Sequence, residues 1–253
     1  MIESTIETIL FSIFGASDPA FVFFLLLLVT LGGILITLSV HLIPVGGAPA
    51  AMAQATGVGT GTTQLAAGSG LSGLLVAVAV SVETQNMFLG IILGGIGAAV
   101  MISLVMLMSN IGYIYGIGVP PASGKAVRDP ITNDRQDIYV SKGTEGHGVP
   151  TASFISGIFG GFLGGAGGSL IYEALIRTTQ VSSALFIVLA VILSIALFFI
   201  NAVIASYNIG GTIEGFYDEK FKKLARSVVV SAAVTFICGA LCLLTFINFG
   251  GFI

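Results

Sequence analysis

Residues 21–42 read FVFFLLLLVTLGGILITLSVHL, an apolar run without a single charged residue. About 20 apolar residues are enough for a helix to span the hydrocarbon core of a bilayer. Proteins that face water carry roughly a quarter charged residues. This chain of 253 residues has 8% charged and 55% hydrophobic residues. The composition therefore predicts an integral membrane protein.

Further uncharged runs continue this pattern along the chain. The most apolar part of each run predicts about six membrane-spanning helices, and hence an all-α, polytopic helical bundle. These helices would form one membrane domain, residues 21–253, which follows an N-terminal extension of residues 1–20. The predicted spans are 21–42, 65–82, 87–109, 151–176, 181–205 and 228–249.

The basic residues predict the orientation of these spans. Eight of the nine Lys and Arg residues lie in the loops 110–150 and 206–227, and Arg177 alone lies between the fourth and fifth spans. Short loops rich in Lys and Arg remain in the cytoplasm. We therefore expect both loops in the cytoplasm and both termini outside it. The net charge of −3 gives no indication of nucleic-acid binding.

Glycine recurs at every fourth position on two faces of the fourth predicted span. This spacing lets helix backbones approach closely inside a membrane. Packing within the chain and packing against another subunit both fit the pattern. The two series are Gly157, Gly161, Gly165 and Gly160, Gly164, Gly168.

Two polar, glycine-rich segments do not resemble simple loops. Residues 41–64 are uncharged but poor in large apolar side chains. Irregular backbone at membrane depth requires enclosing protein or water. This segment therefore predicts a re-entrant or cavity-lining element, with a compact cytoplasmic loop as the alternative. The second segment, 201–215, reads NAVIASYNIGGTIEG and follows a span that is already long enough to cross the membrane.

The second segment offers oxygen atoms, which hard cations such as Na⁺ prefer as ligands. Its glycine pair could also free backbone carbonyls. Glu83 and Glu173 lie at span ends, where a solvated residue is favoured over the alternative of an ion ligand. The candidate ion-path residues are Asn201, Ser206, Tyr207, Asn208, Thr212 and Glu214.

Signatures of enzyme chemistry are missing from the sequence. There is no complete Walker A motif, no HExxH and no nucleophile elbow, and the glycines at 57, 59 and 61 do not complete GxGxxG, because Thr62 and Gln64 stand at the positions of its last glycine. Cys238 and Cys242 share one helix face, where apolar packing is favoured over a metal pair. We therefore predict no catalytic residue and no cofactor bound by this chain.

Three ordered strings closely resemble the D subunit of the tetrahydromethanopterin S-methyltransferase of methanogenic archaea. The resemblance extends from about His41 to the C-terminus and leaves residues 1–20 aside. The strings are HLIPVGGAPAAMAQATGVGTGTTQLAAG (41–68), TEGHGVP (144–150) and FFINAVIASYNIGGTIEGFYDEKFKK (198–223).

This resemblance implies a membrane component of a complex in methanogenesis. The complex transfers a methyl group from methyl-tetrahydromethanopterin, or tetrahydrosarcinapterin, to coenzyme M. The methyl group passes through a corrinoid (cobamide) on another subunit, and the transfer drives Na⁺ export. The implied partners are the C- and E-type membrane subunits, the corrinoid-carrying and methyl-transferring subunits, and membrane lipid.

Two other functions remain open from the residues alone. An internal echo, HxxP at 41–44 and 147–150 with Asn-Ile-Gly at 110–112 and 208–210, would suit a stand-alone secondary transporter built from repeats. The absence of charge near the middle of any predicted span argues against that function. The other alternative is a purely structural membrane subunit of the complex.

Overall fold

The computed structural model describes residues 18–44, 61–143, 145–178 and 183–250, including all of their side chains except those of 61–67 and 249–250. Six long helices form a bundle in this part of the chain, which confirms the predicted all-α, polytopic fold. Residues 45–60 of the predicted re-entrant segment and residues 1–17 of the extension lie outside the described residues.

The helices follow the predicted spans in order. Five of them contain segments long and apolar enough to cross a membrane, as expected of a multi-pass membrane protein. The remaining helix, α2, has 24 residues, of which Gly68–Thr84 form a shorter apolar helix. The helices are α1 (Pro19–Leu42), α2 (Gly61–Thr84), α3 (Met87–Ile111), α4 (Thr151–Ile176), α5 (Ala184–Ile209) and α6 (Leu224–Gly250).

The bundle has two chemically different ends. At the basic end, a π-helix (Gly112–Ile117), a two-stranded antiparallel pair (Ala122–Ser123 with Gly146–His147) and a 3-10 helix (Glu219–Lys223) connect the long helices. An ion pair joins the two loops of this end, since Lys125 Nζ lies 3.8 Å from Asp218 Oδ2. The opposite end contains Asp18 and the residues 85–86 and 177–178.

Local capping explains several helix ends. The Asp18 carboxylate accepts a hydrogen bond from the N–H of Phe21 at the start of α1, and the Asn86 side chain does the same for Leu89 at the start of α3. Such side chains satisfy N–H groups that the first helical turn leaves free. Gly210 follows α5 with φ of 62°, a left-handed conformation that ends a helix.

α4 is the central helix, because its two glycine series face different neighbours inside this chain. The first series packs against α3 and the second against α1 and α5. The contacts are Gly157 with Met106, Gly161 with Ile102, Gly165 with Ala98, Gly160 with Ile43, Gly164 with Ser39 and Gly168 with Phe198. Both series are therefore used within the chain.

Candidate ion-handling site

Asn201 lies at the centre of a buried polar cluster between α1, α5 and α6. Its side-chain oxygen accepts hydrogen bonds from the hydroxyls of Ser231 and Thr235, the second at 2.8 Å. Ser231 Oγ also lies 3.1 Å from the Gly33 carbonyl oxygen. Asn201 and both hydroxyl residues are completely buried. We call Asn201, Ser231, Thr235 and the Gly33 carbonyl the Asn201 cluster.

Helix spacing and one glycine create this cluster. Ser231 and Thr235 are four residues apart and therefore share a face of α6. Gly33 lets that face approach α1, because a methyl group at this position would overlap the Thr235 side chain and lie 2.9 Å from Asn201 Nδ2. The amide nitrogen of Asn201 is held by the Leu197 carbonyl at 2.8 Å, which leaves the side-chain oxygen to face the hydroxyls.

Buried hydroxyls without a partner extend the cluster along the helices. Thr37 lies one turn beyond Gly33, and Ser227 lies one turn from Ser231, both toward the basic end. Ser194 lies two turns from Asn201 in the other direction. The hydroxyl oxygens of all three are buried and have no hydrogen-bond partner. We call these three residues together with the Asn201 cluster the hydroxyl seam, and its unsatisfied oxygens carry an energetic cost in an apolar interior.

A second polar cluster surrounds Glu214 at the basic end. The Tyr217 hydroxyl donates to Glu214 Oε2 at 3.0 Å and lies 2.6 Å from Ser153 Oγ at the start of α4. Ser123 from the loop after α3 also bonds to the carboxyl group, and Lys125 lies nearby. These contacts connect both loops of the basic end to α4. We call these five residues the Glu214 cluster.

Burial changes the acidity of this cluster. It raises the pKa of Glu214 to about 7 from the usual 4.5, although hydrogen bonds from Ser123 and Tyr217 and the charge of Lys125 oppose the increase. Burial and the neighbouring Glu214 also raise the pKa of Tyr217. Glu214 therefore changes its charge near neutral pH, where the Tyr217 hydroxyl remains a hydrogen-bond donor.

The segment containing Glu214 is held against two helix ends. The Ser156 hydroxyl donates to the Leu42 carbonyl at 2.7 Å and accepts from the N–H of Phe216 at 3.1 Å. Gly215 has φ of 104° and leaves room for Ser156, whose Oγ would lie 2.5 Å from an added methyl group. The loop after α5 thus connects the end of α1 to the start of α4.

The structure distributes the six predicted ion-path residues over different places. Asn201 lies in the hydroxyl seam, about 12 Å along α5 from Ile209. Thr212 has a buried hydroxyl without a partner and belongs, like Glu214, to the basic-end loop. Ser206 is buried in α5, and Tyr207 is 73% exposed. Asn208 donates to the Lys223 carbonyl at 3.0 Å.

The expectation that Glu173 is solvated is wrong. Its side chain is completely buried and forms an ion pair with Arg177, one turn further along the chain. Gly90 of α3 makes the burial feasible, since a methyl group there would lie 2.5 Å from Glu173 Oε1. Glu83 is exposed, as expected for a residue at a span end. Among the described residues, no group of three or more His, Cys, Asp or Glu side chains could hold a metal ion.

The basic end also contains a cavity of about 580 Å³. Asp129 anchors its wall by accepting the N–H of Ala152 at 3.0 Å and those of Ile131 and Thr132 at 2.9 Å. Burial would raise the pKa of Asp129, but these backbone donors hold it below its usual value. Ile138 and Tyr139 add apolar surface to the wall.

Comparison with known proteins identifies the family. The family model that describes the D subunit of tetrahydromethanopterin S-methyltransferase matches residues 22–235. The chain belongs to this family. The D subunit from Methanosarcina barkeri is 52% identical over 236 residues, which cover 88% of this chain and 94% of the relative. That from Methanopyrus kandleri is 57% identical over 207 residues, covering 81% and 89%. That from Methanothermobacter marburgensis is 50% identical over 226 residues, covering 88% and 95%.

Sequence reasoning missed several of the polar groups that this member of the D-subunit family buries. Ser227, Ser231 and Thr235 recur every four residues in an apolar helix, and this spacing could have revealed them. No comparable signal exists for Tyr217 and Ser153, because 64 positions separate them and only the tertiary fold brings them together.

Proposed function

We propose that this chain is a membrane subunit of a Na⁺-pumping methyltransferase complex. The complex couples methyl transfer from methyl-tetrahydromethanopterin, or tetrahydrosarcinapterin, to coenzyme M with Na⁺ export. A corrinoid on another subunit carries the methyl group. Membership in the D-subunit family supports the complex, and the Asn201 cluster supports the ion-handling role.

The chemistry of the Asn201 cluster suits a small hard cation. Its amide, carbonyl and hydroxyl oxygens are the ligand types that hard cations prefer. Hydroxyl groups can rotate to turn their lone pairs toward an ion, so these hydrogen bonds can be exchanged for ion ligation. The free hydroxyls of Thr37 and Ser227 would supply the next ligands toward the basic end. The hydroxyl seam is therefore the proposed Na⁺ path through this chain.

The basic end is the proposed cytoplasmic side, because the positive-inside rule applies to its loops. Corrinoid-carrying and methyl-transferring subunits would bind there, beside the C- and E-type membrane subunits. A partner that contacts the two loops more strongly in one methylation state would shift the membrane sector between two conformations. The Glu214 cluster joins these loops and would transmit the shift to α1 and α4. Methyl transfer itself belongs to the partners.

The test uses the purified complex in sealed vesicles. Uptake of ²²Na⁺ is measured per methyl group transferred to coenzyme M. Thr235→Val removes one oxygen but preserves the shape of the side chain. We expect an apparent Na⁺ affinity about tenfold weaker, equivalent to about 1.4 kcal/mol. Thr245→Val is the matched control, because the Thr245 hydroxyl only donates to Leu241 within α6 at 2.9 Å.

Each other outcome favours a different function. Unchanged Na⁺ uptake by the Thr235→Val complex would contradict the ion path and favour a purely structural subunit. Na⁺ transport by the isolated chain in vesicles would favour a stand-alone secondary transporter.

A further inference from the structure

The buried carboxyl group of Glu173 is only half paired. It lies between α2, α3 and α4 near the opposite end of the bundle, on other helices than the Asn201 cluster. Oε2 forms the ion pair with Arg177, whereas Oε1 is buried and has no hydrogen-bond partner. An unpaired carboxylate oxygen in an apolar interior is costly unless a cation or a donor reaches it.

Arg177 covers this carboxyl group from the water side. Its side chain is 29% exposed, whereas that of Glu173 is completely buried. The guanidinium also donates to the carbonyls of Glu173 and Gln85, at 3.3 and 3.4 Å. The Arg177 guanidinium thus separates the carboxyl group from solvent. Because the Arg177 side chain is partly exposed, the guanidinium can also move away from the carboxyl group into solvent.

The surroundings of Glu173 fit an ion with a single charge. Ser81 hydrogen-bonds to the carboxyl group, and Tyr172 supplies a second neutral oxygen beside it. The Ala77 carbonyl and Gly90 complete the wall contributed by α2 and α3. The charge of the Glu173 carboxylate is balanced by one guanidinium. A monovalent cation could take the place of that guanidinium without leaving net charge in the low-dielectric interior.

We propose that Glu173 forms a separate binding site for a small monovalent cation such as Na⁺, and that the Arg177 guanidinium competes for this site. Removing the guanidinium opens the site, and removing the carboxylate destroys it. The site goes beyond the proposed transport function, because it lies outside the hydroxyl seam and binding can be measured without methyl transfer.

Equilibrium binding of ²²Na⁺ to the purified complex tests this proposal, with choline chloride keeping the ionic strength constant. Arg177→Gln should bind Na⁺ about tenfold more tightly at one site than the unchanged complex. Glu173→Gln and the double variant Glu173→Gln/Arg177→Gln should both lack that site. Opposite effects from the two partners of one ion pair are not expected if the pair only stabilises the fold.

Two further variants make the test decisive. Arg135→Gln removes a guanidinium from an exposed ion pair with Asp137 and should leave Na⁺ binding unchanged. Arg177→Lys retains the charge but loses the planar fork. It should therefore bind Na⁺ more tightly than the unchanged complex, by a smaller factor than Arg177→Gln. Arg177→Lys takes the place of Arg177→Gln in the test if the Arg177→Gln complex does not assemble. Equal Na⁺ binding in the Arg177 variants and the unchanged complex would overturn the proposal. Thr235→Val should preserve Na⁺ binding at the Glu173 site. A failure of the Glu173 proposal can therefore be distinguished from a failure of the transport proposal.

Discussion

Two helix contacts in this bundle use opposite chemistry. We call the contact between α3 and α4 the glycine contact, in which Gly94, Gly165 and Ala98 bring the backbones together. The hydroxyl seam between α1, α5 and α6 is instead held by amide, carbonyl and hydroxyl oxygens. Helices in lipid associate through close packing or hydrogen bonds, because the hydrophobic effect does not drive them together. The glycine contact can only keep α3 and α4 packed together, whereas the oxygens of the hydroxyl seam can exchange their hydrogen bonds for contacts with an ion.

The two contacts also differ in what surrounds them. The most apolar 18-residue part of α4 is 67% buried, whereas that of α6 is 22% buried. α4 is therefore enclosed by its own chain more completely than α6, whose exposed side chains face lipid or partner subunits. A shift of α6 would alter the hydroxyl seam without separating α3 from α4.

The largest expected effect comes from breaking the glycine contact. In Gly165→Ala, the new methyl group would lie 2.5 Å from the Gly94 carbonyl oxygen, so two backbones must move apart. We expect a loss of about 1–3 kcal/mol in stability, measured as earlier thermal dissociation of the purified complex. Gly116→Ala is the control, since nothing lies within 4 Å of its added methyl group. Equal stability of the two variants would show that close packing is dispensable here.

The next effect separates stability from ion handling in the hydroxyl seam. Asn201→Leu leaves the Thr235 hydroxyl without its acceptor and leaves Ser231 with only the Gly33 carbonyl, and should cost about 1–3 kcal/mol. The triple variant Asn201→Leu/Ser231→Ala/Thr235→Val removes both sides of these bonds and should recover most of that loss. Na⁺ uptake per methyl group should be lost in both. A triple variant that is stable and transports Na⁺ normally would contradict the ion path.

The smallest effect is local and depends on pH. Glu214 has a pKa of about 7 in the folded chain and 4.5 ordinarily, so the folded state holds its proton more tightly. The loop should therefore lose stability, on the order of 2–3 kcal/mol, as pH rises from about 4.5 to about 7, and change little above that. Hydrogen exchange of residues 210–218, corrected for its intrinsic pH dependence, measures this loss.

Two variants in the same loop sharpen this pH test. Glu214→Gln should remove the pH dependence, because the amide does not titrate. Glu219→Gln should retain it, because Glu219 is exposed. A loop whose exchange has the same pH dependence in Glu214→Gln would show that another group titrates there.

Much of the fold could be predicted because lipid imposes a strict pattern. The run 151–176 predicted α4 at the residues where it occurs, because uncharged length is the requirement for crossing a bilayer. The end of α5 extends to Ile209, four residues beyond the predicted span, because Gly210 rather than hydropathy ends the helix. The candidate site was only partly predictable. Asn201 is unusual in an apolar run, but the hydroxyls that face it lie on another helix.

The sequence by itself determined that this chain is a helical membrane protein of the D-subunit family. The length of the uncharged runs and the long stretches that resemble the family are properties of the sequence itself. They do not depend on which helices pack against one another. Only the tertiary structure decided which polar groups meet. Glu173 shows the reason, since a residue near a helix end is solvated or buried according to the helix beside it. Gly90 of α3 admits its carboxyl group, and no local pattern around Glu173 records that contact.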